Sequence, residues 1–307
     1  MKAIRLIMGM AFLALTACYE EDKLTPSEEG ENVYNGEYTL PQGNHDYDND
    51  ILELFSKYQT MFLYKYEPHD IYYNYNTDAY LGGSYDAEKD STYSGMFDIP
   101  SDEAWVGKQL DLLKELWLGY YPDDFLLKRL PQKVYMVDSL FSAADGRGTP
   151  LQNLRTNLLV WSGGDYMLVT YGDERVQAMT REEKFEYKIE LNLEFLMGLD
   201  LPVTAAFSGV SNYTIFSNIN NQQYIYQYGF LNWNNSTTPQ DDWLSYLELA
   251  VSVPYEELIV EGPNGFLHPS KDSRGLISQK YELIVEHFLS EYQIDLKKIG
   301  RDFAEEN

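Results

Sequence analysis

The sequence predicts an α+β domain with a mixed sheet, a central helix and a mainly helical C-terminal portion. Three observations predict it. Thr180–Leu199 is the best-marked helix: Thr180 and Glu183 form a capping-box pattern, and Phe185, Ile189, Leu193 and Leu196 recur at helical spacing. Upstream, Lys133–Leu140, Asn157–Trp161 and Tyr166–Tyr171 are β-branched and aromatic runs. The last two meet at Ser162-Gly163-Gly164-Asp165, a hairpin signal. Downstream, Gln240–Val253, Ser273–Tyr292 and Asp295–Glu305 carry helical patterns, the last two joined at Gln293.

The remaining elements follow in chain order. Asp46-Tyr47-Asp48-Asn49-Asp50 precedes a helix over Asp50–Lys57. Its alternate carboxylates lack the glycine and closing glutamate of a calcium loop, Ile51 and Lys57 standing there instead, so they suit the helix dipole. Met61–Tyr66 reads as a strand. Glu67–Pro100 is irregular and rich in Tyr, Asn, Asp and Gly, a twisted hairpin or a long loop. Ser101 and Asp102 start a helix running to about Gly119, with Trp105, Leu110, Leu113 and Leu116–Trp117 on its apolar side; Asp123–Leu130 is a short second helix. Pro202–Tyr213 suggests a short helix and turn, and Tyr255–Val260 another short helix. In Ser217–Thr238, the alternation of Tyr224, Tyr226 and Tyr228 would put three rings on one face of a strand, with Trp233 nearby.

The 307 residues allow a sizeable core. A formal net charge of -26 repels phosphate backbones and anionic headgroups, which argues against nucleic acid as a partner. The one cysteine takes its meaning from position. Lys2 and Arg5 stand at the start of the apolar run Ile4–Leu15, too short to span a bilayer, and Leu15-Thr16-Ala17-Cys18 follows. This pattern resembles a bacterial lipoprotein signal, which implies cleavage before a lipid-carrying Cys18 and a membrane anchor at that residue. The expected organisation is a signal peptide over 1–17, a flexible tether over 18–43 and a domain over 44–307, divided into 44–199 and 200–307. The acidic run Tyr19-Glu20-Glu21-Asp22 resembles a surface-export signal, which implies the outer face of an outer membrane.

From Ile51 to Phe303, the order of elements resembles the zinc metallohydrolase lipoproteins of Bacteroidetes that are associated with substrate import. The resemblance implies a zincin-like fold and a role beside an outer-membrane nutrient importer. That family carries an H-E-x-x-H helix, whose two histidines grip zinc while the glutamate activates water. Here the aligned positions are Glu190-Leu191-Asn192-Leu193-Glu194: both ligand positions are glutamate and the base position is leucine. The four histidines, His45, His69, His268 and His287, lie too far apart to form a His-x-x-x-His pair in any frame. The resemblance implies zinc as cofactor, but its ligands are missing, so the expectation is no metal and no catalytic residue. The family's acidic helix further along is matched by Asp241-Asp242-Trp243-Leu244-Ser245, where the second acid has become Ser245.

Several readings stay open at this point. Glu190 and Glu194, one turn apart, are expected to be a solvated wall of a wide acidic cleft, at a repulsive cost of roughly 0.2–0.5 kcal/mol; a hard cation is the alternative. His69 and His268 beside prolines read as surface histidines. Tyr224, Tyr226, Tyr228 and Trp233 are the candidate ligand platform. The functional classes are a non-catalytic glycan- or peptide-binding accessory, an atypical zinc-dependent hydrolase, and a structural subunit docking on an importer complex.

Overall fold

In the computed structural model, residues 33–34, 38–74, 79–80, 82–84, 95–143, 155–218, 222–232 and 238–301 are described. Cys18 and Trp233 lie outside them, as do the expected signal peptide and most of the tether. Leu40–Asn307 makes one compact unit.

The sheet is organised by one long strand, Lys133–Ala143 (β4), which changes partners halfway. Its first half lies parallel to Met61–Leu63 (β1) and to Tyr166–Val169 (β7). Its second half lies antiparallel to Gly95–Pro100 (β3) and to Arg155–Leu158 (β5). Gly82–Ser84 (β2) extends the sheet beyond β3, and Val160–Ser162 (β6) forms the opposite edge, antiparallel to β7. Both pairing modes are present, so the sheet is mixed. Val134, Tyr135, Met136 and Val137 are all buried because this strand is covered on both faces. The hairpin expected at Ser162-Gly163-Gly164-Asp165 forms there, with Gly163 N–H donating to Tyr166 O at 2.9 Å.

Some helices begin where capping chemistry places them. Asp46–Tyr58 (α1) starts four residues earlier than expected. Asp48 accepts from the backbone N–H of His45 at 2.8 Å and from the Tyr64 hydroxyl at 2.8 Å, while Asp50 pairs with Lys114 at 2.6 Å. Those two carboxylates are therefore committed to holding α1 in place. Pro68–Tyr72 (α2) gives the irregular segment one helical turn and includes His69, expected in a loop. Val106–Leu116 (α3) and Asp123–Arg129 (α4) follow; Ser101–Asp102 lies ahead of α3, where Asp102 Oδ1 accepts from Ala104 N–H in a local turn.

The buried amide of Gln109 on α3 lies where β4 changes partners. Its Nε2 donates to Val137 O at 3.1 Å, Val169 O at 2.9 Å and Thr170 O at 2.8 Å; its Oε1 accepts from Ser101 Oγ at 2.8 Å. Those carbonyls belong to strands that part at this point, and a polar side chain completes their bonding.

After the short turn Arg175–Ala178 (α5) comes the central helix, Arg181–Met197 (α6). Its capping box forms as read: Glu183 N–H donates to Thr180 Oγ1 at 3.2 Å and Thr180 N–H to Glu183 Oε2 at 2.8 Å. The C-terminal portion comprises Ala205–Ser208 (α7), Gln222–Ile225 (α8), Pro239–Ser252 (α9), Tyr255–Leu258 (α10), Leu276–Tyr292 (α11) and Leu296–Arg301 (α12). Helix α9 has a second capping box, Thr238 with Asp241, and proline in its first turn. Helix α6 touches β6, α3, α9 and α12, so it joins the sheet layer to the helical layer. No helix among the described residues is long and apolar enough to cross a membrane.

A charged pair lies inside the helical layer. Lys280 on α11 and Asp242 on α9 are both fully buried and bonded to each other. Lys280 Nζ also donates to Gly229 O at 2.9 Å and sits 4.4 Å from the Phe230 ring centroid; the Tyr213 hydroxyl donates to Asp242 at 2.7 Å. Burial pushes the Asp242 pKa up and the Lys280 pKa down, each partly countered by the partner. Removing one member strands the other. Asp242→Ala should destabilise the fold by about 3–5 kcal/mol, whereas Asp242→Leu with Lys280→Met should cost much less; urea midpoints of the two variants measure the difference.

Candidate functional site

The central helix places its motif positions unevenly. The expected apolar face of Phe185, Ile189, Leu193 and Leu196 is rotated from the one observed. Tyr187, Lys188, Leu191, Asn192, Phe195 and Leu196 are buried, and the first three expected residues are only partly so. Two polar residues, Lys188 and Asn192, lie in the buried stripe, which is why apolar spacing alone picked the neighbouring face. Asn192 accepts from the Tyr121 hydroxyl at 2.7 Å and donates to Leu116 O at 2.9 Å and Lys188 O at 2.7 Å, fastening α6 to the end of α3.

Leu191, at the base position, is fully buried in the core. Glu194, at the second ligand position, accepts the backbone N–H of Ser162 at 2.9 Å and also the Ser162 hydroxyl. It therefore ties α6 to the edge strand β6 at the mouth of the hairpin. Glu190 stands at the surface. Local desolvation first, then the carboxylates of Glu194, Glu186 and Glu248, raise its pKa. Beside Glu194, among the described residues, lies a cavity of about 90 Å³ lined in part by Arg129, Ser162, Tyr166 and Glu194. Also among the described residues, no three His, Cys, Asp or Glu side chains come together as metal ligands would.

The tyrosine platform takes another form from the one expected. Tyr224 lies in helix α8, and Tyr226–Tyr228 is a 3₁₀ turn ended by Gly229 in the left-handed region, φ 76°. A helical path brings the first and third rings together and sends the second elsewhere. Tyr224, 52% exposed, and Tyr228 meet at 5.8 Å between centroids. Tyr226 turns away to pack edge-on against Phe266 at 6.0 Å. Arg274 lies 5.9 Å from the Tyr228 ring and donates to Gln227 O at 3.2 Å. Buried Ile225 and Phe230 anchor the segment, and their packing overrides the β-propensity of alternating tyrosines.

Sequence reasoning passed over one buried acid. Asp98, in the middle of β3, is fully buried; Tyr72 donates to its Oδ1 at 2.7 Å and Tyr66 to its Oδ2. Around it lies an aromatic group: Tyr72 stacks on Trp161 at 6.2 Å, Trp161 meets Tyr166 edge-on at 5.9 Å, and Tyr135 meets both Tyr166 and Tyr66. The cue was a lone aspartate inside the apolar run Met96-Phe97-Asp98-Ile99. Both oxygens accept phenol protons, so the group holds α2 and the Tyr66 segment on the sheet.

His268 is paired with Ser270 at 2.9 Å, and His287 packs against Trp243 and Tyr292, so neither lies near α6's motif positions in sequence or by these contacts. Asp242, in the stretch compared with the family's acidic helix, is the buried partner of Lys280, and Ser245 Oγ donates to Asp241 O at 2.9 Å.

The fold defines a mixed α+β domain in which one helix bridges a sheet layer and a helical C-terminal layer. No family model matches the chain, and no curated protein does. One solved structure that matches is described as a "putative zinc-binding metallo-peptidase from Bacteroides caccae"; the alignment covers 83% of this chain and 88% of that one, at 15% identity and a TM-score of 0.44. A likeness at that level carries no assignment of activity.

Two measurements check the site as described. Glu194→Ala leaves the Ser162 N–H and hydroxyl without their acceptor and should cost about 1–2 kcal/mol, while Glu190→Ala relieves repulsion and should be neutral or slightly stabilising; chemical denaturation separates them. Burial raises the Asp98 pKa, with the Tyr66 and Tyr72 hydrogen bonds opposing it. The folded state then holds that proton more readily than the unfolded chain. The stabilisation is complete below the ordinary carboxylate range and is lost as pH rises through the raised value. The stability of the unaltered protein relative to Asp98→Asn should therefore fall as pH rises, read from urea midpoints across that range.

Proposed function

We propose that this chain is a lipid-anchored, non-catalytic relative of zinc metallopeptidases on a zincin-like frame, which binds a glycan at the cell surface for an outer-membrane nutrient-uptake system. One observation carries the non-catalytic reading: two of the three helix positions that would hold metal and base, 191 and 194, serve the fold instead. Leu191 fills the core and Glu194 is engaged by Ser162. A leucine cannot take a proton from water.

Other support comes from the chain itself. The Leu15-Thr16-Ala17-Cys18 pattern supplies the anchor, and the acidic residues after Cys18 supply the surface address. The element order that suggested the frame includes a hairpin edge strand, β6, beside the central helix, and these two elements are in contact. The ligand site of this reading is the exposed Tyr224 and the half-buried Tyr228 against it, with Arg274 beside them. Ring faces suit sugar C–H groups and a guanidinium suits hydroxyl oxygens.

The test is a soluble oligosaccharide panel, with a peptide panel beside it, applied to the chain and to Tyr224→Ala, Tyr228→Ala and Trp233→Ala, together with elemental analysis for zinc. The expected outcome is glycan binding weakened roughly 3- to 10-fold by the Tyr224 and Tyr228 variants, with no stoichiometric zinc. A zinc atom per chain overturns the non-catalytic reading. Binding confined to peptides, or unchanged in all three variants, overturns the glycan platform.

A further inference from the structure

The halfway change of partners on β4 leaves a gap between β5 and the end of β7. It opens as a cavity of about 230 Å³, whose lining includes Asp138, Asn157, Leu159, Thr170, Tyr171 and Arg175. Its walls are tied together. Thr170 donates through both N–H and Oγ1 to Leu159 O, at 3.2 and 2.8 Å; Tyr171 N–H donates to Asp138 O at 3.1 Å and Gly172 N–H to Val137 O at 2.9 Å. Tyr171 is held in the left-handed region, φ 69°, rare for a bulky residue and characteristic of sites that need a side chain aimed. Gly172 fixes that turn, because a Cβ there would meet Ser101 Oγ at 1.8 Å.

The polar chemistry of the lining is half used. Arg175 Nη2 donates to Asp138 O at 2.9 Å, Asp138 Oδ1 at 2.6 Å and Ser139 Oγ at 2.7 Å, and its Nε donates to Asp173 at 2.7 Å. Asp138 Oδ2, the Asn157 amide, the Tyr171 hydroxyl and Arg175 Nη1 have no hydrogen-bond partner among the described residues. These open groups include both donors and acceptors. Two carboxylates around one guanidinium disfavour an anionic ligand, and the guanidinium disfavours a cation. A sugar hydroxyl both donates and accepts, which is what this mixture satisfies. The volume lies below the ~300–1,000 Å³ of pockets for drug-sized molecules and equals the liquid volume of about eight waters, which suits one ring and not a chain.

We propose that this cleft binds a single neutral, hydroxyl-rich ring, the terminal sugar of a glycan, with Asn157 and Tyr171 as ligand-contacting residues. It deepens the glycan reading above and gives that ligand a contact separate from Tyr224 and Tyr228. Saturation-transfer NMR on the full chain tests it with methyl glucoside, methyl galactoside and methyl mannoside, beside glucuronate and glucosamine. At least one neutral glycoside should bind, about 3- to 10-fold more weakly in each of Asn157→Ala and Tyr171→Phe, while the two charged sugars should not bind. Neither substitution removes a hydrogen bond among the described residues, and an unchanged melting curve checks that the fold is kept. No transfer from any neutral glycoside, preference for a charged sugar, or affinities unchanged in both variants overturns the assignment. Binding that survives both variants but is lost in Tyr224→Ala overturns the cleft and leaves the glycan reading standing. Silence with the glycosides and with the oligosaccharide panel overturns both.

Discussion

The Gln109 amide and the carbonyls it bonds are the constraint on which the sheet depends. A strand that is parallel to its neighbours over one half and antiparallel over the other must lose regular pairing between the halves. Unpaired backbone groups inside a core cost about as much as a lost hydrogen bond each. Gln109 reaches Val137, Val169 and Thr170 from the helix that covers the sheet, so the same side chain bonds these carbonyls and ties α3 to β4 and β7. The left-handed Tyr171 and the glycine after it lie one step beyond, where the chain turns out of β7.

Helix α6 carries the second join. It is packed by the sheet layer on one side and by α9 and α12 on another, and its buried stripe mixes Tyr187, Leu191 and Phe195 with Lys188 and Asn192. A helix so placed has few positions free for chemistry. Asn192 spends its amide on α3 and Tyr121, and Glu194 spends its carboxylate on the hairpin. Glu190 alone among the motif positions faces outward, within the field of other carboxylates.

Buried polar groups recur as organisers elsewhere. Asp98 gathers Tyr66 and Tyr72 onto the sheet, and the Asp242–Lys280 pair gathers Tyr213, Phe230 and Tyr246 between α9 and α11. In each case a charge or potential charge is enclosed by aromatic side chains that bring hydroxyls or ring faces. Such groups specify one arrangement, because any slippage leaves a polar atom unpaired at a cost greater than a misplaced methyl group would incur. The many tyrosines of the chain are partly explained by this use.

Local signals determined much of the fold. The capping box at Thr180, the Ser162–Asp165 turn and the apolar β4 run identify their elements because the forces involved act within a few residues. That no H-E-x-x-H pattern is present is likewise visible in residue identity alone. Tertiary packing decided the rest. Lys188, Asn192, Asp98 and Lys280 look like surface residues by composition and are buried because their partners come from distant segments. The alternating tyrosines form turns of helix because Ile225 and Phe230 must reach a common core. The gap beside β4 exists because β5 and β7 pair with different halves of that strand, and which half each takes leaves no mark on local sequence.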